Sequence, residues 1–183
     1  MRKICKAFER TGAFWESAFL SADAVPFRAE VRAACEKNYC GCFGKCWNCP
    51  PGVGEWEALR DEFHRYGEAF VFSTRHLLED SFDLDGMNEG RISHERLAWD
   101  LKKALSEAGY TSRSDFELLG AGGCHICPVC SYPDAPCRHP DLVLRSMEAC
   151  GIDVVSLSAS CGMHYINGEN TVTYFSILFF NEK

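Results

Sequence analysis

The apolar positions repeat at helical spacing in some stretches and run continuously in others. After Pro50, Pro51 and Gly52, the residues Trp56, Leu59, Phe63 and Tyr66 recur at helical intervals until Gly67, which predicts a short amphipathic helix. Residues 69–73, with Phe70, Val71 and Phe72 at their centre, predict a strand, and the acidic, Gly-containing segment through Gly90 predicts an excursion. Ser93 can cap a helix whose Leu97, Leu101, Ala104, Leu105 and Ala108 share one face up to Gly109. Residues 116–119 predict a strand that runs into Gly120, Gly122 and Gly123, a permissive backbone. Beyond Pro140, Asp141 is a further candidate cap, with Val143, Met147 and Cys150 on one helical face before Gly151. Residues 153–157 read as the next strand. Asn167 and Gly168 then form a hairpin-turn pair leading into 171–180, where Phe175, Ile177 and Phe179 alternate.

These elements sum to an α+β protein with a mixed β-sheet packed with helices, because the closing hairpin adds an antiparallel pair to an alternating helix and strand order. Residues 1–52 are expected to form a cysteine-rich N-terminal metal-binding lobe. Residues 53–183 are expected to form the α+β core, with one single compact domain as the alternative. Neither a long internal repeat nor a low-complexity linker marks a firmer boundary.

The chain has 183 residues, enough for a core without covalent staples, yet 12 of them are cysteine. With 19 Lys and Arg against 26 Asp and Glu, the formal net charge of -7 would repel a phosphate backbone, so no nucleic acid partner is expected. Glu9, Arg10 and Glu16 break up what would be the apolar core of an export signal. No run of about 18 apolar residues exists, so no membrane span is expected and the protein reads as soluble and cytoplasmic. Clustered cysteines in a reducing cytosol point to metal ligands or redox catalysts rather than disulfides.

The cysteines form two groups. The second reads Cys124, His125, Ile126, Cys127, Pro128, Val129, Cys130, then Cys137 after six more residues. Three thiols at gaps of two can converge on one centre, and a cubane 4Fe-4S cluster needs that, because each of its irons takes one thiolate. Structural zinc, which favours two separated pairs, is the alternative cofactor, and unliganded thiols are the bland one. Gly122 and Gly123 free amides to bond sulfur, or simply turn the chain. Arg138 would offset cluster charge or form a surface ion pair, and His125 reads as a solvent-facing loop residue.

The first group, Cys35, Cys40, Cys42, Cys46 and Cys49, has gaps of four, one, three and two. Any four could bind a cluster or zinc. Cys35, Cys40, Cys46 and Cys49 are the working ligand set for a second centre, with one thiol spare or merely packed. Cys150 reads as core and Cys161 as a structural thiol, while Cys5, beside Lys3 and Lys6, has either a lowered pKa or a frayed setting. Asp83, Asp85 and Gly86 lack the ligand alternation and closing Glu of a calcium loop. No phosphate loop, dinucleotide fingerprint or nucleophile elbow is present.

Together these pieces resemble a family of cysteine-rich, predicted metal-binding proteins with a domain of unknown function. The residues that carry the resemblance are 31–35 with Cys40; Phe43, Gly44, Lys45, Trp47, Cys49, Pro50 and Pro51; Cys124, Cys127, Cys130, Pro136, Cys137, Arg138 and Pro140; and 146–149 with 151–154. The resemblance implies Cys35, Cys40, Cys49, Cys124, Cys127, Cys130 and Cys137 as ligands. Cys42 and Cys46 depart from its pattern, which leaves open which thiols of the first group share a metal. A three-ligand site would leave an open iron for a substrate, and a four-ligand site would suit electron transfer. The expected function is an iron-sulfur protein, with one or two clusters, that serves a redox partner protein. A zinc-stabilised interaction module and a redox enzyme with an open-iron cluster are the alternatives.

Overall fold

The computed structural model describes residues 1–182. In chain order the elements are α1 (Arg2–Arg10), β1 (Glu16–Ser21), α2 (Ala29–Glu36), α3 (Trp56–Phe63), β2 (Glu68–Leu77), α4 (Leu84–Glu107), β3 (Phe116–Gly120), β4 (Arg145–Ser146), α5 (Val154–Ser160) and β5 (Thr171–Phe180), with a short 3₁₀ turn at Ala22–Ala24. The strands form one mixed sheet in the order β1-β2-β5-β3-β4. All pairs are antiparallel except β3 with β4. The expected α+β class is therefore the observed one.

β2 and β5 occupy the sheet centre, paired from Glu68 opposite Phe180 to Leu77 opposite Thr171. Both faces of these strands are covered, which explains their nearly continuous apolar runs. Ala69, Val71, Phe175, Ile177 and Phe179 face a core shared with Leu59 and Phe63 of α3 and Leu157 of α5. Phe70, Phe72, Leu178 and Phe180 face the opposite core, with Ala98, Leu101 and Leu105 of α4 and Cys5 of α1. Residues before 52 contribute to both layers, because β1 extends the sheet beside β2 and Phe14 packs on Phe70 and Phe72.

Four expectations change. α4 begins at Leu84 rather than at Ser93, because Asp83 caps it by accepting the Gly86 N–H at 2.8 Å. The later part of the acidic excursion, from Leu84 to Gly90, is thus helix. The helix expected between Asp141 and Gly151 is instead the short strand β4 followed by a tight turn, in which the Cys150 N–H donates to the Ser146 carbonyl at 3.0 Å. Residues 153–157, expected to be a strand, begin α5: Asp153 accepts the Ser156 N–H at 3.0 Å, and that cap overrides the β-branched pair Val154 and Val155. No strand precedes Asn167, so the expected terminal hairpin is absent among the described residues and β5 enters the sheet centre alone.

This topology sets the site. A parallel pair needs a crossover, and between β3 and β4 that crossover contains no helix, only the loop 121–144 with the second cysteine group. The loop 37–55 between α2 and α3 carries Cys40, Cys42, Cys46 and Cys49, and Cys35 closes α2. Long irregular loops at a strand end are where function concentrates. Among the described residues no helix is long and apolar enough to cross a membrane.

Candidate metal centre

Asn48 joins the two cysteine loops. Its side chain is 2% exposed. Its Oδ1 accepts the Cys124 N–H at 3.0 Å, and its Nδ2 donates to the carbonyls of Gly122 at 3.2 Å and Leu144 at 3.3 Å. The Ser146 N–H donates to the Asn48 carbonyl at 3.4 Å. One side chain therefore holds the start of the second cysteine run, the Gly-rich turn and the approach to β4. Trp47 adds an edge contact to Tyr132 at 4.9 Å and donates from Nε1 to the Ala135 carbonyl at 3.1 Å. Gly52 makes room for this packing, since a Cβ there would stand 2.8 Å from the Cys46 carbonyl oxygen and 2.9 Å from the Tyr132 ring.

The loops enclose a cleft of about 290 Å³ whose wall includes Cys124, Cys127, Cys130 and Cys137 together with Cys42 and Cys46. The four thiols expected to share a centre thus line one cavity, and two thiols of the first group join them. Among the described residues, no three His, Cys, Asp or Glu side chains meet around a single ion-sized point. All twelve cysteines are free thiols.

Cys35, Cys40 and Cys49 line a different and larger cleft, of about 630 Å³. The working set of Cys35, Cys40, Cys46 and Cys49 is accordingly divided, with Cys46 on the smaller cleft and the other three on the larger. The partition between the clefts is thin. A Cβ on Gly123, in the wall of the larger cleft, would stand 2.6 Å from the Cys42 Sγ in the wall of the smaller.

Cys46 and Cys49 are buried on opposite sides of that partition. The neighbouring Cys49 thiol, followed by the backbone N–H groups of Cys124, Asn48 and Cys49, outweighs burial and brings the Cys46 thiol down to about 6. The neighbouring Cys46 thiol and burial raise Cys49. The shift favours the thiolate of Cys46, the form in which a thiol binds metal. Burial raises Cys124 and Cys35.

The remaining candidates divide as follows. The Arg138 guanidinium bonds to the Val129 carbonyl and so cross-braces the loop while lining the smaller cleft. His125 is exposed, in keeping with a solvent-facing loop residue. Cys150 is fully buried in the core and raised to about 12 by burial, as expected of a packing thiol. Cys5 is neither frayed nor activated: it is buried under α1, and burial raises it to about 12.

Three features carry no pattern in the sequence. Asn48 is one. Arg32, buried on α2, donates to the carbonyls of Ala149 at 2.7 Å and Gly54 at 2.9 Å, which fixes α2 against the turn after β4. Arg145 reaches Glu62 at 2.6 Å and Glu117 at 3.0 Å and lies over the Phe63 ring at 4.8 Å. Burial alone would raise the Glu62 carboxyl, but Arg145 more than reverses this and leaves it lowered.

Fold and site define an α+β protein whose thiols gather in clefts at the end of a strand. A family model described as a predicted metal-binding protein, DUF2284, matches residues 18–180, and the chain belongs to that family. No curated protein and no solved structure matches it at a significant level.

Proposed function

We propose that this protein is a cytoplasmic iron-sulfur protein that holds a 4Fe-4S cluster on Cys124, Cys127, Cys130 and Cys137 and passes single electrons to a partner. The observation that carries this reading is the gathering of those four thiols, three of them from one tight run, on the wall of a single cleft. A cubane presents separate irons to separate thiolates, and a run of three thiols at gaps of two with a fourth farther on suits it better than the two separated pairs that structural zinc favours. The cavity supplies further support. Trp47 and Val143 shield it, and Asn48 fixes the Cys124 amide beside the sulfurs. Such outer groups tune the potential of a cluster. The cluster would supply one-electron storage, while the chain positions the thiolates and limits access by water.

Free thiols throughout the chain suit a reducing compartment. The formal net charge of -7 suits docking to a basic redox partner. The test is anaerobic purification followed by iron, sulfide and zinc analysis with visible and paramagnetic-resonance spectra. A brown protein with about four irons and four sulfides per occupied site, losing the signal in Cys127→Ser, is the expected result. A colourless protein with stoichiometric zinc would overturn the proposal.

A further inference from the structure

We infer that the corner where β2 turns into α4 is a docking surface for a basic partner protein, with Phe82 as its anchor. The partner's role, receiving an electron, rests on the iron-sulfur reading above; the place where it docks does not.

The corner presents apolar area to water. Leu77, Phe82 and Leu84 are 76%, 87% and 75% exposed, three large apolar side chains around one turn of the chain. A cluster of this kind on a folded surface marks a contact site, because covering it removes apolar area from water. The turn that carries it is built rather than frayed. Asp83 accepts the Gly86 N–H at 2.8 Å and the Glu79 N–H at 3.0 Å, and Asp80 accepts the Phe82 N–H at 2.7 Å. The Leu78 N–H donates to the Asn170 carbonyl at 2.9 Å, and the Tyr174 hydroxyl donates to the Met87 carbonyl at 2.7 Å, so both ends of the turn are tied to the start of β5. An aromatic ring on a backbone already fixed in place loses little conformational freedom on binding, as an interface anchor requires.

Charge selects the occupant. Residues 77–90 contain Glu79, Asp80, Asp83, Asp85 and Glu89 and no Lys or Arg. None of these carboxylates forms an ion pair among the described residues. The flanking Arg75 and Arg91 are already engaged, with the Trp15 ring at 4.8 Å and with Glu95 at 2.9 Å. A second copy would bring the same carboxylates to this face and be repelled, as would an anionic membrane surface. A protein that rings an apolar pocket with Lys and Arg complements both features.

Position ties the corner to the thiols. β2 and β3 both run antiparallel to β5, so the end of β2 and the end of β3, where the second cysteine loop starts, share one end of the sheet. α4 then runs from the corner to Glu95 and Trp99, which line a small cavity together with Cys124 and His125. From Leu84 to Glu95 the helix rises about 16 Å, or roughly three turns.

Cytochrome c, a small basic haem protein, is the probe for anaerobically purified full-length protein. Calorimetry at about 50 mM and about 300 mM NaCl compares wild type with Phe82→Ser, with Glu79→Lys/Glu89→Lys, and with Asp100→Lys/Glu107→Lys, which makes the same charge change farther along α4. All five substituted side chains are exposed, so the variants keep the fold, checked by circular dichroism. Both corner variants are expected to weaken binding about tenfold or more at the lower salt, and the remote pair about twofold or less. The corner charge effect should shrink at the higher salt while the Phe82→Ser effect persists. Equal losses in the two charge pairs would overturn the corner in favour of net charge. Unchanged affinity in Phe82→Ser would overturn the anchor, and absence of wild-type binding the whole surface. Sedimentation that finds a wild-type dimer, lost in Phe82→Ser, would overturn the basic partner in favour of a second copy. On mixing reduced protein with ferric cytochrome c, one electron is expected to leave the cluster and reduce the haem iron. Binding without that reduction overturns the electron-transfer reading and leaves the docking surface standing.

Discussion

Asn48 uses every polar atom of its side-chain amide on backbone groups of the second cysteine loop, and none of those bonds involves another side chain. Removing it strands the Cys124 N–H and two carbonyls in a half-buried setting, so Asn48→Ala should destabilise the fold by about 1–2 kcal/mol. It should also reduce bound metal far more than a surface change does, checked by metal content and chemical denaturation on the same preparation. Cysteine spacing shows which thiols exist, but an asparagine between Trp47 and Cys49 resembles any loop residue until its partners 74 to 96 positions away are in place. For the same reason Cys46 could be named only a candidate ligand from the sequence, and its lowered pKa and its side of the partition could not be read there.

At the scale of elements, the stretch from Asp141 to Ser160 shows how tertiary bonds override periodicity. Val143, Met147 and Cys150 have helical spacing, yet Arg145 and Ser146 pair with Leu119 and Gly120, and the Arg145 guanidinium spans Glu62 on α3 and Glu117 on β3. The loop leading into β4 carries Cys137, so this ion pair also anchors one end of the candidate site. Glu117 is buried, and its Oε2 has no hydrogen-bond partner among the described residues. Arg145→Ala would leave that carboxylate without a counter-charge. The expected cost is about 3–5 kcal/mol, since a buried charge is costly once its partner is gone. The double change Arg145→Ala with Glu117→Gln should recover part of it, and urea unfolding of the three proteins checks the order.

For the whole molecule, the sheet separates two apolar cores, and one polar network crosses the layer under α4. His94 is 2% exposed, with Nδ1 bonded to the Thr74 hydroxyl at 2.8 Å and Nε2 to the Ser176 hydroxyl at 2.8 Å. Burial lowers it from an ordinary 6.5 to about 3. Between those values the unfolded chain binds a proton that the folded chain excludes, so this histidine makes the fold less stable as pH falls from 6.5 toward 3. The urea midpoint should therefore decline over that window, and His94→Gln should decline less steeply. An equal slope in both proteins would show that other groups dominate acid unfolding.

The sequence by itself determined the mixed α+β class, the central strands and the two thiol groups, because these depend on local periodicity and on counts of residue types that no packing can change. It also determined family membership, which rests on spacings within short segments. Tertiary structure alone decided the pairing of Arg145 and Ser146 as a strand and the entry of β5 between β2 and β3, whereas the early start of α4 and the start of α5 rest on local caps, Asp83 on the Gly86 N–H and Asp153 on the Ser156 N–H. It alone divided the first cysteine group between two clefts. Such outcomes depend on partners distant along the chain, such as Asn48 with Leu144 and Arg145 with Glu62, whose meeting no local pattern encodes.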